Sequence, residues 1–253
     1  MSRARRSKPD GAPARLRRLL RQVERDSRSG SIELAHKSIM ALFKVRRAAA
    51  DPEKLDRQWL SWARRARPEM KVFANLAREA LRRPGREAWA RNRSLPFWLV
   101  TVLYNSVSRT VKAGSALIGP RDRVLIFSHS STLVHAITMA QSRDPRIFAP
   151  KDPASQRTAR LLRKEGVHVT AVPLNGELDA TKVLVSCDAY DSRGAVVNAR
   201  GTRRVVEWAA RRKIPAFCLA TWLKRSAGPL TTPRNRGFER IPPGAGLKLV
   251  GDL

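Results

Sequence analysis

The sequence predicts an α/β protein in which an N-terminal helical domain is followed by a parallel sheet with helices on both faces. Three observations predict it. The 253 residues are 42% hydrophobic and 28% charged, a globular balance with enough apolar residues for a well-buried core. Up to about Ile118 the apolar residues recur mainly at helical spacing. From Gly119-Pro120-Arg121-Asp122 onward, short apolar runs alternate with helical stretches, which is the pattern of strand, helix, strand units in a parallel sheet. The expected division is a flexible basic arm over 1–12, a helical domain over 13–118 and the α/β domain over 119–253.

The arm rests on Arg3, Arg5, Arg6 and Lys8 ahead of Pro9-Asp10-Gly11, a stretch without apolar periodicity. Asp10, Glu24 and Asp26 argue against reading it as an acid-poor transit peptide. Ser29-Gly30-Ser31 opens a helix whose apolar face continues through Ile39, Leu42, Phe43 and Val45. Pro68-Glu69-Met70 is expected to start another, because proline suits a first helical turn; Val72, Phe73, Leu76 and Leu81 keep its spacing before Pro84-Gly85 ends it. In the second domain, strands are expected at Val124 to Phe127, Arg146 to Phe148, Val167 to Val172, Val183 to Val185 and Ala216 to Leu219. Helices are expected at Leu133 to Ala140, Arg157 to Lys164 and Thr202 to Arg212. From Gly228 onward, proline, glycine and arginine predict loop with an edge strand at Leu247 to Val250.

The formal charge of +30, from 51 basic and 21 acidic residues, predicts strong attraction to polyanions. It reads either as arginine spread over solvated helix faces or as a nucleic-acid surface, with RNA contact through the basic arm. The six tryptophans are scattered singly, so no stacking platform for bases is indicated. Cys187 and Cys218 form no C-x-x-C pair, which argues against a metal site and a disulfide framework and fits a reducing cytoplasm. The run Phe97 to Tyr104 is too short to span a bilayer, and no charged-then-apolar leader opens the chain, so a soluble cytoplasmic protein is expected.

The chemistry is expected in the turns that follow the strands. Ser128-His129-Ser130-Ser131-Thr132 joins the first strand to the next helix. Ser130, Ser131 and Thr132 either cap that helix or, with its free N–H groups, hold a phosphate. No G-x-G-x-x-G or Walker sequence occurs there, which argues against a typical dinucleotide or nucleoside triphosphate site. His129 is either a structural side chain or an acid or base. Asn198, Gly201 and Thr202 form a second polar turn ahead of a helix. Asp188, directly beyond an apolar strand, emerges where ligands sit in parallel sheets; it either accepts a ligand hydroxyl and shuttles a proton, or forms a turn.

Asp188-Ala189-Tyr190, then Gly194-Ala195-Val196-Val197-Asn198 with Gly201-Thr202, and finally Ile214-Pro215-Ala216-Phe217 form an ordered set. Together they resemble the "GAD" turn, the "NG.VVNK.GT" stretch and the following "P" strand of the initiation factor 2B alpha/beta/delta-subunit family. That family includes methylthioribose-1-phosphate and ribose-1,5-bisphosphate isomerases. Arg67-Pro68 with Asn75-Leu76 is similar to its "RP…NL" helix, and Ser29-Gly30 suits its helical domain, so the resemblance runs from about Ser29 to Lys224. It implies a helical domain on a Rossmann-like domain, a cleft for a phosphorylated sugar or nucleotide, no cofactor, and a homodimer through the sheet domain. In the family's isomerases a cysteine and the "GAD" aspartate move a proton between C1 and C2 of a sugar phosphate. Asp188 matches the aspartate, but the cysteine's place falls at or beside His129, the lysine after Asn198 is Ala199, and the "E.RP" stretch is reduced to Ala149-Pro150-Lys151-Asp152. The leading expectation is therefore a binding protein without catalysis that acts through assembly in a translation-factor-like role. A divergent isomerase using Asp188 and His129, and an RNA- or ribosome-associated basic protein, are the alternatives.

Overall fold

The computed structural model describes residues 11–82, 94–174 and 178–253. The arginines and lysine expected in the arm, and Pro84-Gly85, lie outside the described residues. The helical domain contains α1 (Ala12–Arg25), α2 (Ser31–Arg46), α3 (Pro52–Ala63), α4 (Lys71–Arg82) and α5 (Leu95–Ala116). Its core is one cluster in which Leu16, Leu20, Leu34, Ile39, Leu42, Leu55, Trp59, Phe73, Leu76 and Leu99 are fully or almost fully buried. Local chemistry sets several helix starts: Pro13, Pro52 and Pro96 occupy first turns, and the Asp51 carboxylate accepts the amide of Lys54 at 2.9 Å.

One expected start differs. Helix α4 begins at Lys71, not at Pro68, because residues 67–70 form a turn: Arg67 takes a left-handed φ of 43°, and the amide of Met70 closes on the carbonyl of Arg67. Pro68 constrains the residue before it away from helical geometry, so the proline works here as a turn residue.

The second domain follows as β1 (Arg123–Ile126), α6 (Ser131–Met139), β2 (Arg146–Pro150), α7 (Pro153–Lys164), β3 (Val169–Val172) and β4 (Lys182–Ser186). It continues with β5 (Ala189–Tyr190), β6 (Val196–Ala199), α8 (Thr202–Arg211), β7 (Ala216–Thr221), β8 (Phe238–Ile241) and β9 (Leu247–Asp252). Six strands form a sheet in the order β3-β2-β1-β4-β7-β9, every neighbouring pair parallel. Its central strands β1, β4 and β7 are buried on both faces, which explains why they read as continuous apolar runs. Val124, Ile126, Leu184 and Leu219 pack with Leu133 and Ile137 of α6 and Leu162 of α7, whereas Leu125, Val183, Val185 and Cys218 pack with Val205, Trp208 and Ala209 of α8.

A second, antiparallel sheet of β5-β6-β8 is an addition to the expected architecture, and the edge strand β9 extends two residues beyond expectation to Asp252. A long helix and the turn after β7 help to join the domains. Helix α5 packs on α2 and α4 at one end and on α6, β7 and β9 at the other. A 3-10 turn, Trp222–Lys224, inserts Leu223 into the helical core, and the Asn75 amide of α4 donates to the carbonyls of Leu223 at 2.7 Å and Arg225 at 2.8 Å. Among the described residues no helix is long and apolar enough to cross a membrane.

Candidate functional site

The chain winds outward from β1 through β2 to β3, and from β4 through β7 to β9, so the direction of winding reverses between β1 and β4. In open parallel sheets the crevice beyond the C-terminal ends of two such strands is the preferred ligand position. Beyond β1 lie Ser128 to Thr132, and beyond β4 lie Cys187 and Asp188.

The β1 loop is tightly held. Ser128 takes a left-handed φ of 68°. Its amide donates to the Ser155 hydroxyl at 3.0 Å, and its carbonyl accepts from the Thr158 hydroxyl at 3.0 Å. Thr158 also accepts the amide of Ser130 at 3.1 Å, so the start of α7 occupies three polar backbone groups of this loop. The Ser130 hydroxyl caps α6 by accepting the amide of Leu133 at 3.2 Å. Ser131 is half-buried, and the buried hydroxyl of Thr132 lacks a partner among the described residues. The two polar turns meet: the Asn198 amide donates to the hydroxyls of Ser128 at 3.3 Å and Thr202 at 3.1 Å. Gly201 supplies the left-handed φ of 99° that leads into α8, and a Cβ on it would meet the Phe127 ring at 2.7 Å.

His129 is held between the domains. Its Nε2 is 3.7 Å from Glu33 Oε2 of α2, and its Nδ1 is 3.4 Å from the Thr158 hydroxyl. Burial pushes the imidazole below its ordinary range, against the opposing pull of Glu33, so the neutral ring is favoured.

Asp188 sits in a different setting. Its amide donates to the carbonyl of Val197 at 2.8 Å, and its carbonyl accepts the amide of Lys71, the first residue of α4, at 3.1 Å. Burial pushes its carboxyl up, opposed first by the Lys224 charge, then by the Ser31 hydroxyl at the start of α2 and by Arg67, with Glu69 adding to the rise. Lys224 itself is 2% exposed, at the end of the 3-10 turn. Lysine is almost never so buried without compensation, and the Lys224 charge is the first of those that hold the Asp188 carboxyl down. The turn-forming carboxylate of this region is instead Asp191. Its Oδ1 accepts the amides of Arg193 and Ala195, each at 3.0 Å, and its Oδ2 accepts the amide of Leu230 at 2.8 Å.

The structure thus brings Ser128, Asn198 and Thr202 into one hydrogen-bonded group and places Asp188 with Lys224, Ser31 and Arg67. His129 and Asp188 have different charged neighbours: Glu33, Arg157 and Asp26 for the first, Lys224, Arg67 and Glu69 for the second. Sequence reasoning missed Lys224, Ser155 and Thr158. Lys224 had one usable signal, a lone lysine directly after the apolar strand β7 in Trp222-Leu223-Lys224. Beneath the site, contact with Cys187 and then burial push the Cys218 thiol well above its ordinary range, so that thiol is a core group and not a nucleophile.

No family model and no curated protein matches the chain. Solved structures do. The translation initiation factor eIF-2B of Pyrococcus horikoshii OT3 is similar with a TM-score of 0.78 at 20% identity, covering 94% of this chain and 95% of that one. The tetrameric eIF2B-beta2-delta2 complex of C. thermophilum gives 0.75 at 14% identity over 100% and 95% of the two chains. eIF2B beta of Chaetomium thermophilum gives 0.68 at 18% identity over 96% and 86%. The helical domain and the six-stranded parallel sheet thus belong to one architecture, and the chain has the fold of the initiation factor 2B subunits.

Proposed function

We propose that the protein is an initiation-factor-2B-like binding protein that takes a phosphorylated sugar or nucleotide at the end of β4 and acts through assembly, in a translation-related role. The observation that carries this reading is the buried Lys224, beyond β7, whose charge acts on Asp188, beyond β4, at the strand that borders the reversal of the sheet's winding. A lysine held in a water-poor crevice is a strong point charge for a phosphate, and a carboxylate beside it accepts the hydroxyls of a sugar. Absence of catalysis is favoured by the setting of His129. Moving a proton between C1 and C2 requires an acid and a base on the same pair of carbons, and His129 is engaged with Glu33 and Thr158, whereas Asp188 answers to other charges, Lys224, Arg67 and Glu69.

One observation supports a divergent sugar-phosphate isomerase as the second reading. Burial raises the carboxyl of Asp188, which is how an acid is kept protonated toward neutral pH. Thermal unfolding in high salt, against ribose phosphates, methylthioribose phosphate and nucleoside phosphates, tests both readings. A ligand at a hundred times its Kd is expected to stabilise by about 2.7 kcal/mol, a rise in Tm of roughly 5–10 °C for a chain of this size. The rise should vanish in Lys224→Met. No rise with any of these compounds defeats the binding reading, and turnover of a stabilising sugar phosphate that is lost in Asp188→Asn favours the isomerase.

A further inference from the structure

Helix α1 carries its arginines in an arrangement that costs an isolated helix stability. At 100° per residue, Arg17, Arg18, Arg21 and Arg25 fall within an arc of about 100°, opposite the buried Leu16, Leu20 and Val23. Arg17 and Arg21, and then Arg21 and Arg25, are like charges at i,i+4, a spacing that destabilises a helix. Arg15 adds a cation to the first turn, which contains no acidic residue, against the helix dipole. The acid nearest this face, Glu24, accepts the indole N–H of Trp62 at 2.7 Å. Arg15, Arg17, Arg21 and Arg25 are exposed and have no acidic partner within 4.0 Å among the described residues.

We infer that this face of α1 is a binding surface for the phosphate backbone of RNA. From Arg17 to Arg25 the helix axis advances about 12 Å, a length over which a nucleic-acid duplex carries about seven charges at one per ~1.7 Å. A membrane is the poorer partner. An interfacial helix must insert its apolar side among lipid chains, and that side of α1 is consumed by the domain core. The choice of RNA over DNA rests on the translation-related reading given above; the arginine face itself does not depend on the Asp188 crevice, so loss of one leaves the other standing.

The test is binding of a fluorescein-labelled RNA duplex to the full chain between 50 and 200 mM KCl, with Arg17→Gln, Arg21→Gln and Arg25→Gln combined. Glutamine matches arginine in helix propensity, so α1 persists. The log K against log salt slope should become shallower by about 2.7, at roughly 0.9 for each phosphate that is no longer neutralised. A second variant, Arg204→Gln with Arg211→Gln and Arg212→Gln, removes the same charge from α8 and the residue that follows it, and should leave most of the affinity. Equal weakening in the two variants would mean that binding follows net charge alone, and would overturn the α1 surface. An unchanged slope in the α1 variant does the same. A DNA duplex of equal sequence bound as tightly overturns the assignment to RNA, and loss of binding to phosphatidylserine vesicles with RNA binding intact overturns it in favour of a membrane.

Discussion

A buried charge is tolerated only while its opposite remains, and this governs what Asp188 and Lys224 do to one another. Removing one member of such a pair leaves the other uncompensated, at a cost of about 3–5 kcal/mol, whereas removing both often costs little. Lys224→Met is therefore expected to lower stability by about 3 kcal/mol, and Asp188→Asn by less, because burial already disfavours the ionised carboxyl that it removes. The double variant should recover at least half of the summed loss, measured by urea unfolding at pH 7. Strict additivity would show that the two charges do not interact. Asp188 was legible in the sequence because an acid directly after an apolar run is conspicuous. Lys224 was not, because the coupling needs the ends of β4 and β7 to be adjacent, and that adjacency exists only in the sheet. Asp191 illustrates the reverse: it lies three residues from Asp188 with the same side chain, and only its three amide donors mark it as the structural one.

The central strands β1, β4 and β7 are buried on both faces, so each reads as an apolar run and could be placed without knowing its neighbours. Strands β5, β6 and β8 could not. The first has two residues, and β8 carries Glu239 and Arg240 in Phe238–Ile241, so its strand character comes from pairing with β6 across about forty residues. The turn from β6 into α8 was legible as polar and glycine-bearing, but what fixes it is spatial. Gly201 combines a left-handed φ with the Phe127 ring lying against its Cα. Gly201→Ala should therefore cost roughly 1–3 kcal/mol in backbone strain alone, with the ring clash in addition. The measurement is Tm by circular dichroism, and Phe127→Leu in the same background should recover part of the ring contribution. A Gly201→Ala protein as stable as the parent would mean that the turn relaxes freely and does not hold Asn198 and Thr202 in place.

At the scale of the molecule, the +30 charge acts on both proposed activities, in opposite directions. RNA binding weakens as salt displaces arginines from phosphates. Pairing of two identical basic chains strengthens with salt, because screening removes a mutual repulsion that the apolar interface must otherwise overcome. Apolar surface for such an interface is present: Met40, Phe43, Phe97 and Tyr104 on α2 and α5 are 42–53% exposed, and an edge contact between His36 and Tyr104 at 5.7 Å holds the two helices side by side. No single window of sequence shows this surface, since its residues come from two helices joined only by packing. The resemblance implies an interface on the sheet domain instead, and the two locations can be separated. Sedimentation velocity at 50 and 500 mM KCl should show the dimer fraction rising with salt. If Phe43→Ser with Tyr104→Ser abolishes the dimer, the helical face makes it; if the dimer persists unchanged, the sheet domain does. A chain that stays monomeric at high salt and high concentration would remove self-assembly from the proposed function and leave its assembly role dependent on a different, acidic partner.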